Sequence, residues 1–294
     1  MAETVNFVHI TDLHIGNPAV EDKHLHSDTH ANMRVILANI AAMQPPPAFI
    51  VASGDLTNRG DVASYLELKR LIEEAKIDAP IIYAIGNHDT RPGFYEGMFG
   101  RIEDGLAPYY HAQVIAGIHI ITLDSSAPGE VGGSIEPEQF AWLKAELDSH
   151  PELPKLIVVH HAPILDEDNK AGEWEAINGA DTAKLREMLV GRGNVVGILS
   201  GHMHYDRVSN WNGIPVVTGM GQHAAMDVLW LNQGLRMVEG TSFAIGTIRP
   251  SGLSIAFAPM PSTRREVFRH TFGEMAALSK AFRESAPQQQ VAAK

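Results

Sequence analysis

The chain reads as one α/β domain in which a pair of mixed central sheets is covered by helices. Two observations predict it. Apolar runs of strand length alternate with amphipathic helical stretches through the first two hundred residues, and hairpins replace that alternation afterwards. The pattern continues almost to the end, which favours a single domain over about residues 1–284, with a disordered tail at 285–294.

Val5–Ile10 is the first strand, followed by a polar loop to about Ser27. Asp28–Met43 places Met33, Ile36, Leu37 and Ile40 on one helical face, and Pro45-Pro46-Pro47 stops it. Ala48–Ser53 is a buried strand ending at Gly54-Asp55. Asp61 is placed to cap a helix over Val62–Ala75, whose apolar stripe is Tyr65, Leu68, Leu71 and Ile72. Ile81–Ile85 is the third strand. Tyr109–Val114 and Ile118–Leu123 flank Ala116-Gly117 as an antiparallel hairpin. Pro137 opens a helix running to about Leu147. Leu156–Val159 and Val195–Leu199 are further buried strands, separated by a helix over Asp181–Val190. Hairpins turn at Asn212-Gly213 and Ser251-Gly252, Ser242–Ile248 and Leu253–Phe257 close the sheet, and Arg264–Arg283 reads as a terminal helix. Val228–Val238, with Trp230, Leu231, Leu235 and Met237, reads as a loop over a pocket or a contact between subunits.

Seven side chains suited to metals stand directly after five of these strands: Asp12 and His14, Asp55, Asn87, His160, and His202 and His204. Functional groups in such sheets gather at the carboxyl ends of strands. Asp12 and His14 are two residues apart, so both can turn inward where the backbone bends. A carboxylate at Asp55, after Gly54, can bridge two cations with its two oxygens. Asn87 offers a neutral oxygen, and the imidazoles suit iron, zinc, manganese or cobalt. Two such cations, roughly 3.5–4 Å apart, make a nucleophile of water and clamp a phosphoryl oxygen. The chain has no cysteine, which removes disulfides, thiolate zinc sites and cysteine nucleophiles together.

The stretches Asp12-Leu13-His14, Gly54-Asp55-Leu56-Thr57, Gly86-Asn87-His88-Asp89, His160-His161 and Gly201-His202-Met203-His204 resemble those of the calcineurin-like metallophosphoesterases. The resemblance covers about residues 5–220 and is nearest to the class III cyclic-nucleotide and glycerophosphodiester phosphodiesterases. It implies a four-layer αββα sandwich. It also implies a first metal held by Asp12, His14, Asp55 and His204, and a second held by Asp55, Asn87, His160 and His202. His160 is preferred to His161 by that resemblance alone. The implied reaction is hydrolysis of a small phosphodiester by a metal-bridging hydroxide. By the resemblance His88 then meets the phosphoryl oxygen or leaving group and His223 faces the substrate, unless it is an ordinary loop histidine. Beside these, Asp89 is placed to orient His88, and Asn87 and His161 to face the substrate, with a packing role for His161 equally open.

Protein phosphatases of the superfamily carry Gly-Asp-x-Val-Asp-Arg-Gly and Gly-Asn-His-Glu. Here the stretches read Gly54-Asp55-Leu56-Thr57-Asn58-Arg59-Gly60 and Gly86-Asn87-His88-Asp89, a departure that lowers the phosphoprotein reading. A phosphomonoesterase or nucleotide phosphatase remains the alternative, and a non-catalytic metal-binding scaffold ranks below it. The formal charge of -12 argues against nucleic-acid polymers and anionic membranes as partners, leaving a small anionic phosphoester. No basic leader or long apolar segment opens the chain, which together with the missing cysteines points to the cytoplasm. Homo-oligomerisation through the segment beyond about residue 224 stays open. Elsewhere the plainer readings lead. His24, His26 and His30 are surface histidines that could rim the entrance, and His9 and His119 are satisfied core histidines. Asp166, Glu167 and Asp168 form a solvated loop or lid, and Arg59 is expected in a salt bridge or against an anionic substrate.

Overall fold

Strands β1 (Val5–Ile10) and β2 (Phe49–Ser53) are buried on both faces, which is why each reads as an apolar run rather than an alternation. In this computed structural model, which describes residues 4–103, 105–165, 176–230, 233–261 and 265–285, they lie parallel to each other and to β3 (Ile81–Ala84). The antiparallel pair β12 (Ser242–Arg249) and β13 (Gly252–Pro259) completes a five-stranded sheet in the order β13-β12-β1-β2-β3.

The second sheet has six strands. Its parallel centre is β5 (Ile118–Thr122), β6 (Lys155–Val158), β7 (Val195–Ser200) and β9 (Ile214–Thr218), with β4 (His111–Ile115) and β8 (Arg207–Trp211) antiparallel at the edges. Odd and even residues of each strand face different layers. Phe7, Phe49, Val51, Ile120, Leu156, Val158, Leu199 and Val217 fill the space between the sheets, and the Phe7 and Phe49 rings stack at 5.2 Å. Val8, Ile10, Ile50 and Ala52 turn the other way, onto α1 (Thr29–Ala41) and α2 (Val62–Ala75). On the far side Ile121, Ile157, Val159 and Ile198 meet α4 (Pro137–Asp148) and α5 (Gly179–Leu189). The result is the expected αββα sandwich.

Local chemistry sets the helix starts. The Asp28 carboxylate accepts from Ala31 N–H and that of Asp61 from Ser64 N–H, each satisfying a first-turn donor that has no partner within the helix. One helix, α3 (Arg91–Phe99), has no counterpart in the sequence reading, because Pro92, Gly93 and Gly97 depress its propensity. Thr90 caps it, and Phe94 and Met98 pack into the α1–α2 core, so tertiary burial overrides propensity.

The C-terminal part differs most from expectation. The segment read as a helix from Arg264 begins instead with β14 (Glu266–Thr271), and only Phe272–Ser285 is helical, as α6. Within the segment read as a pocket loop or subunit contact, β11 (Gly234–Val238) pairs with β14 and with the short β10 (Ala225–Met226) in a separate three-stranded sheet. That sheet packs through Met226, Met237 and Phe268 against Met203 and Tyr205. The Asp166–Asp168 run and the tail beyond Ser285 lie outside the described residues. Among the described residues no helix is long and apolar enough to cross a membrane.

Candidate metal centre

Six of the seven expected ligands, Asp12, His14, Asp55, His160, His202 and His204, converge where the carboxyl ends of β1, β2, β6 and β7 meet, and Asn87 at the end of β3 adjoins His88, whose N–H reaches Asp55. Five of them, Asp12, His14, Asp55, His202 and His204, hold left-handed backbone with φ of 47°, 44°, 47°, 70° and 51°. That conformation costs non-glycine residues about 1–3 kcal/mol each and persists only where the surroundings over-determine it. Here the strand-end loops lock one another. Asp12 N–H donates to Gly54 O and His14 N–H to Asp55 O, both at 3.0 Å, and Gln222 N–H donates to Asp12 O. Gly86 is required by close approach, since a Cβ there would sit 2.3 Å from Asp55 Oδ1.

Asp55 is the pivot. Its Oδ1 accepts the His88 N–H at 2.8 Å, which leaves Oδ2 to face two imidazoles at once: His160 Nε2 at 3.3 Å and His14 Nε2 at 3.8 Å. Oδ2 is thus the oxygen turned toward both groups of imidazoles. On one side of it, Asp12, His14, Asp55 and His204 bring a ligand atom each within 4.8 Å of one another, with His204 Nε2 3.3 Å from Asp12 Oδ1 and 3.3 Å from His14 Nε2. On the other side, the rings of His160 and His202 lie 5.3 Å apart. Asn87 Oδ1 and His160 Nε2 are buried there without a hydrogen bond among the described residues. Orphaned buried acceptors of this kind are rare and costly.

Hydrogen bonds to carbonyls settle several tautomers, since a carbonyl can only accept. His160 Nδ1–H donates to Ser53 O and His204 Nδ1–H to Ala224 O, both at 2.9 Å, leaving each Nε2 turned into the cluster. His161 is different. Its Nε2–H donates to Val131 O and its Nδ1 accepts from Ser125, so both ring nitrogens are engaged and the side chain is wholly buried. His161 stands in the cluster, a ring nitrogen within 4.8 Å of those of His160 and His202, which accords with the packing role the sequence left open beside the substrate-side one. His88 Nδ1–H donates to Asn58 O at 3.0 Å. Asp89 does not orient it: the Asp89 carboxylate accepts from Leu56, Thr57 and Gly86 N–H and from the Tyr65 and Thr57 hydroxyls, fixing the Gly-Asp loop instead.

Electrostatics fit a cation-binding cluster. Burial lowers His14 well below the ordinary histidine range, with the nearby His88 imidazole adding to it, so its lone pair is free. Burial opposes ionisation of Asp12 as well, yet His204 holds that carboxyl at about 2. Burial is outweighed at His160 too, which Asp55 raises to about 9. Convergent carboxylates and imidazoles with an orphaned amide oxygen form a donor set that suits borderline divalent cations.

Two further residues, Arg59 and His26, are tied into the surroundings of the centre. Arg59 forms a two-pronged pair with Asp22, at 2.6 and 2.8 Å, so the salt-bridge reading applies. His26 N–H donates to His223 Nε2 at 3.0 Å, and the two rings stack at 5.5 Å. His223 is also a tilted neighbour of His14, at 5.0 Å. Burial, then the His204 charge, pushes His223 down to about 3, so it is a neutral imidazole with its proton on Nδ1.

Comparison with known proteins agrees with this architecture. The family model described as calcineurin-like phosphoesterase matches residues 5–206. A Rhodococcus erythropolis protein named "Probable cyclic nucleotide phosphodiesterase" is 35% identical over 214 residues, 71% of this chain and 68% of that one. A cAMP/cGMP dual specificity phosphodiesterase of Mycobacterium tuberculosis is 31% identical over 238 residues, 79% of this chain and 72% of the other. Among solved structures, a purple acid phosphatase from yellow lupin seeds superposes with a TM-score of 0.61 at 14% identity, covering 87% of this chain and 52% of that one. That last likeness is of fold alone.

Proposed function

For this chain, which belongs to the calcineurin-like phosphoesterase family, we propose hydrolysis of a small phosphodiester, a cyclic nucleotide first and a glycerophosphodiester second, at a dinuclear metal centre. The observation that carries it is Asp55 Oδ2, one buried oxygen facing two donor sets while its twin is tied to the His88 amide. Asp12, His14, Asp55 and His204 would hold one cation, and Asp55, Asn87, His160 and His202 the other. Iron, manganese, zinc and cobalt all suit these donors. When bound, the pair supplies an acidified water and neutralises charge on the phosphoryl group.

The chain's own residues do the rest. His160 and His204, each pinned through Nδ1 to a carbonyl, keep Nε2 aimed at the cluster, and such supporting bonds set ligand orientation and basicity. His88 has its Nδ1–H committed to Asn58 O, so Nε2 is the atom that would hold a proton and pass it to the departing oxygen. His223 Nδ1–H would donate to a phosphoryl or sugar oxygen, with Nε2 fixed by the His26 amide. Asp89 holds the Gly-Asp loop so that Asp55 keeps its left-handed geometry.

The substrate class rests on relatives named for cyclic nucleotides at 35% and 31% identity. Two divalent cations held beside the Asp12 and Asp55 carboxylates would leave the site net positive, a match for an anionic phosphodiester. Purified protein reconstituted with manganese should turn over cAMP, cGMP and bis(p-nitrophenyl) phosphate faster than p-nitrophenyl phosphate. Preference for the monoester would reverse the assignment.

A further inference from the structure

The loop between β1 and α1 runs from Asn17 to Asp28 and bonds the Gln222–His223 turn, and one buried carboxylate in it makes contacts that surface solvation does not explain. The Asp22 side chain is only 5% exposed. Its Oδ2 accepts from Asn58 Nδ2 at 2.7 Å and from Arg59 Nε at 2.6 Å, and its Oδ1 from Arg59 Nη2 at 2.8 Å and His24 N–H at 3.0 Å. Asn58 in turn reaches two groups of the centre. Its side-chain Oδ1 lies 3.0 Å from His14 Nδ1, and its main-chain oxygen accepts from His88 Nδ1–H.

The proton logic runs one way along this chain. An ionised carboxylate can only accept, so the Asn58 amide must turn its NH2 toward Asp22 and its oxygen toward His14. That oxygen can only accept, so His14 must carry its proton on Nδ1. The His14 lone pair is then on Nε2, the atom facing Asp55 and His204. The charge on Asp22 therefore selects the His14 tautomer from two residues away. The Arg59 guanidinium keeps that charge in place, holding the Asp22 carboxyl well below the usual carboxylate range.

We propose that Asp22 is a positioning residue of the metal centre, acting through the Asn58 amide to fix the metal-binding tautomer of His14 and the seat of His88. This rests on the dinuclear reading above and adds to it a residue that touches neither metal nor substrate. Asp22 also ties the loop to the Gly-Asp turn, while Ser27 and His26 of the same loop bond the Gln222–His223 turn. The loop thus links both histidines assigned to the substrate side.

The test is manganese titration of the metal-free protein, with nitrogen-15 NMR of the His14 ring before metal is added. Wild type should bind two equivalents and show His14 as the Nδ1–H tautomer alone. Asp22→Ala should weaken one equivalent by about 10- to 100-fold, leave the other within about threefold, and give a mixture of His14 tautomers. Asp22→Asn keeps the shape but frees the amide to turn over, so it should show the same effects in weaker form. Moving the charge, in the double variant Asp22→Asn with Asn58→Asp, should restore affinity, because a carboxylate then accepts directly from His14. The inference is overturned if Asp22→Ala binds both equivalents normally with His14 still purely Nδ1–H. It is equally overturned if both equivalents weaken in step with the melting temperature and the double variant rescues neither. A wild type that binds fewer than two equivalents overturns the dinuclear reading instead, and the NMR result then stands by itself.

Discussion

Strand β6 ends in two buried polar clusters of opposite character. At its amino end Lys155, wholly buried, donates to His119 Nδ1 and to the Ser149 and His150 carbonyls, while His119 Nε2 meets Glu146 at 3.1 Å. The side-chain nitrogens of Lys155 and His119 are all engaged, His150 alone in the cluster holds left-handed backbone, at φ 44°, and the cluster ties the end of α4 to the sheet. At the carboxyl end, His160 Nε2 and Asn87 Oδ1 lack hydrogen bonds, and five residues around them hold strained left-handed backbone. One cluster is complete without a ligand; the other is not. Burial of charge alone therefore does not mark function in this molecule. Incomplete burial of converging donors does.

If that contrast is right, substitutions at the two ends should fail in different ways. Asp55→Asn should lower kcat/KM on bis(p-nitrophenyl) phosphate by about 10³-fold or more and abolish tight binding of both manganese ions, with little change in metal-free stability. Loss of only one ion would break the shared-oxygen account. His88→Ala should lower kcat by about 10²-fold while both ions bind as in wild type, since His88 is assigned to the proton and not to the metals. A parallel loss of metal would move it among the ligands. At the opposite end, Lys155→Met should destabilise by about 2 kcal/mol through the stranded Ser149 and His150 carbonyls, read by urea unfolding. Its kcat/KM per folded molecule should stay within about twofold.

His9 lies between the two cases and sharpens the comparison through pH. It was expected to be a satisfied core histidine; Nε2 bonds Ser53 at 2.8 Å, but Nδ1 has no partner among the described residues. Burial lowers it to about 4, with Asp12 only partly offsetting this. A base whose folded pKa is depressed takes up its proton more readily when unfolded. Its stabilising effect is therefore complete above pH 6.5 and is lost as pH falls toward 4. Metal-free protein should lose about 2 kcal/mol between pH 6.5 and 4.5 from this group, a slope that His9→Gln should flatten. An unchanged slope in that variant would remove His9 from the account.

The carboxyl-end cluster was legible because most of its members follow strands buried on both faces, and such strands announce themselves as short apolar runs. Spacing could not separate His160 from His161; the fold separates them only in their bonds, Val131 and Ser125 engaging both ring nitrogens of His161. Other parts were hidden for equally physical reasons. Asp22 and Asn58 are 36 residues apart and meet only in the fold, and nothing local distinguishes either from a solvated loop residue. The role of Asp89 could not be read because its five donors come from three separate stretches of chain. β14 alternates weakly and is half exposed, so its residues fit a helix as well as a strand until β11 pairs with it. Left-handed backbone at aspartate and histidine carries no sequence signature at all.

The central claim is that one oxygen of Asp55 joins two cations. Anomalous diffraction from crystals of the manganese-loaded protein addresses it directly. The account predicts two peaks roughly 3.5–4 Å apart, both within bonding distance of Asp55 Oδ2, with Asn87 and His160 on one ion and His14 and His204 on the other. A single peak, or two peaks that do not share that oxygen, would contradict it.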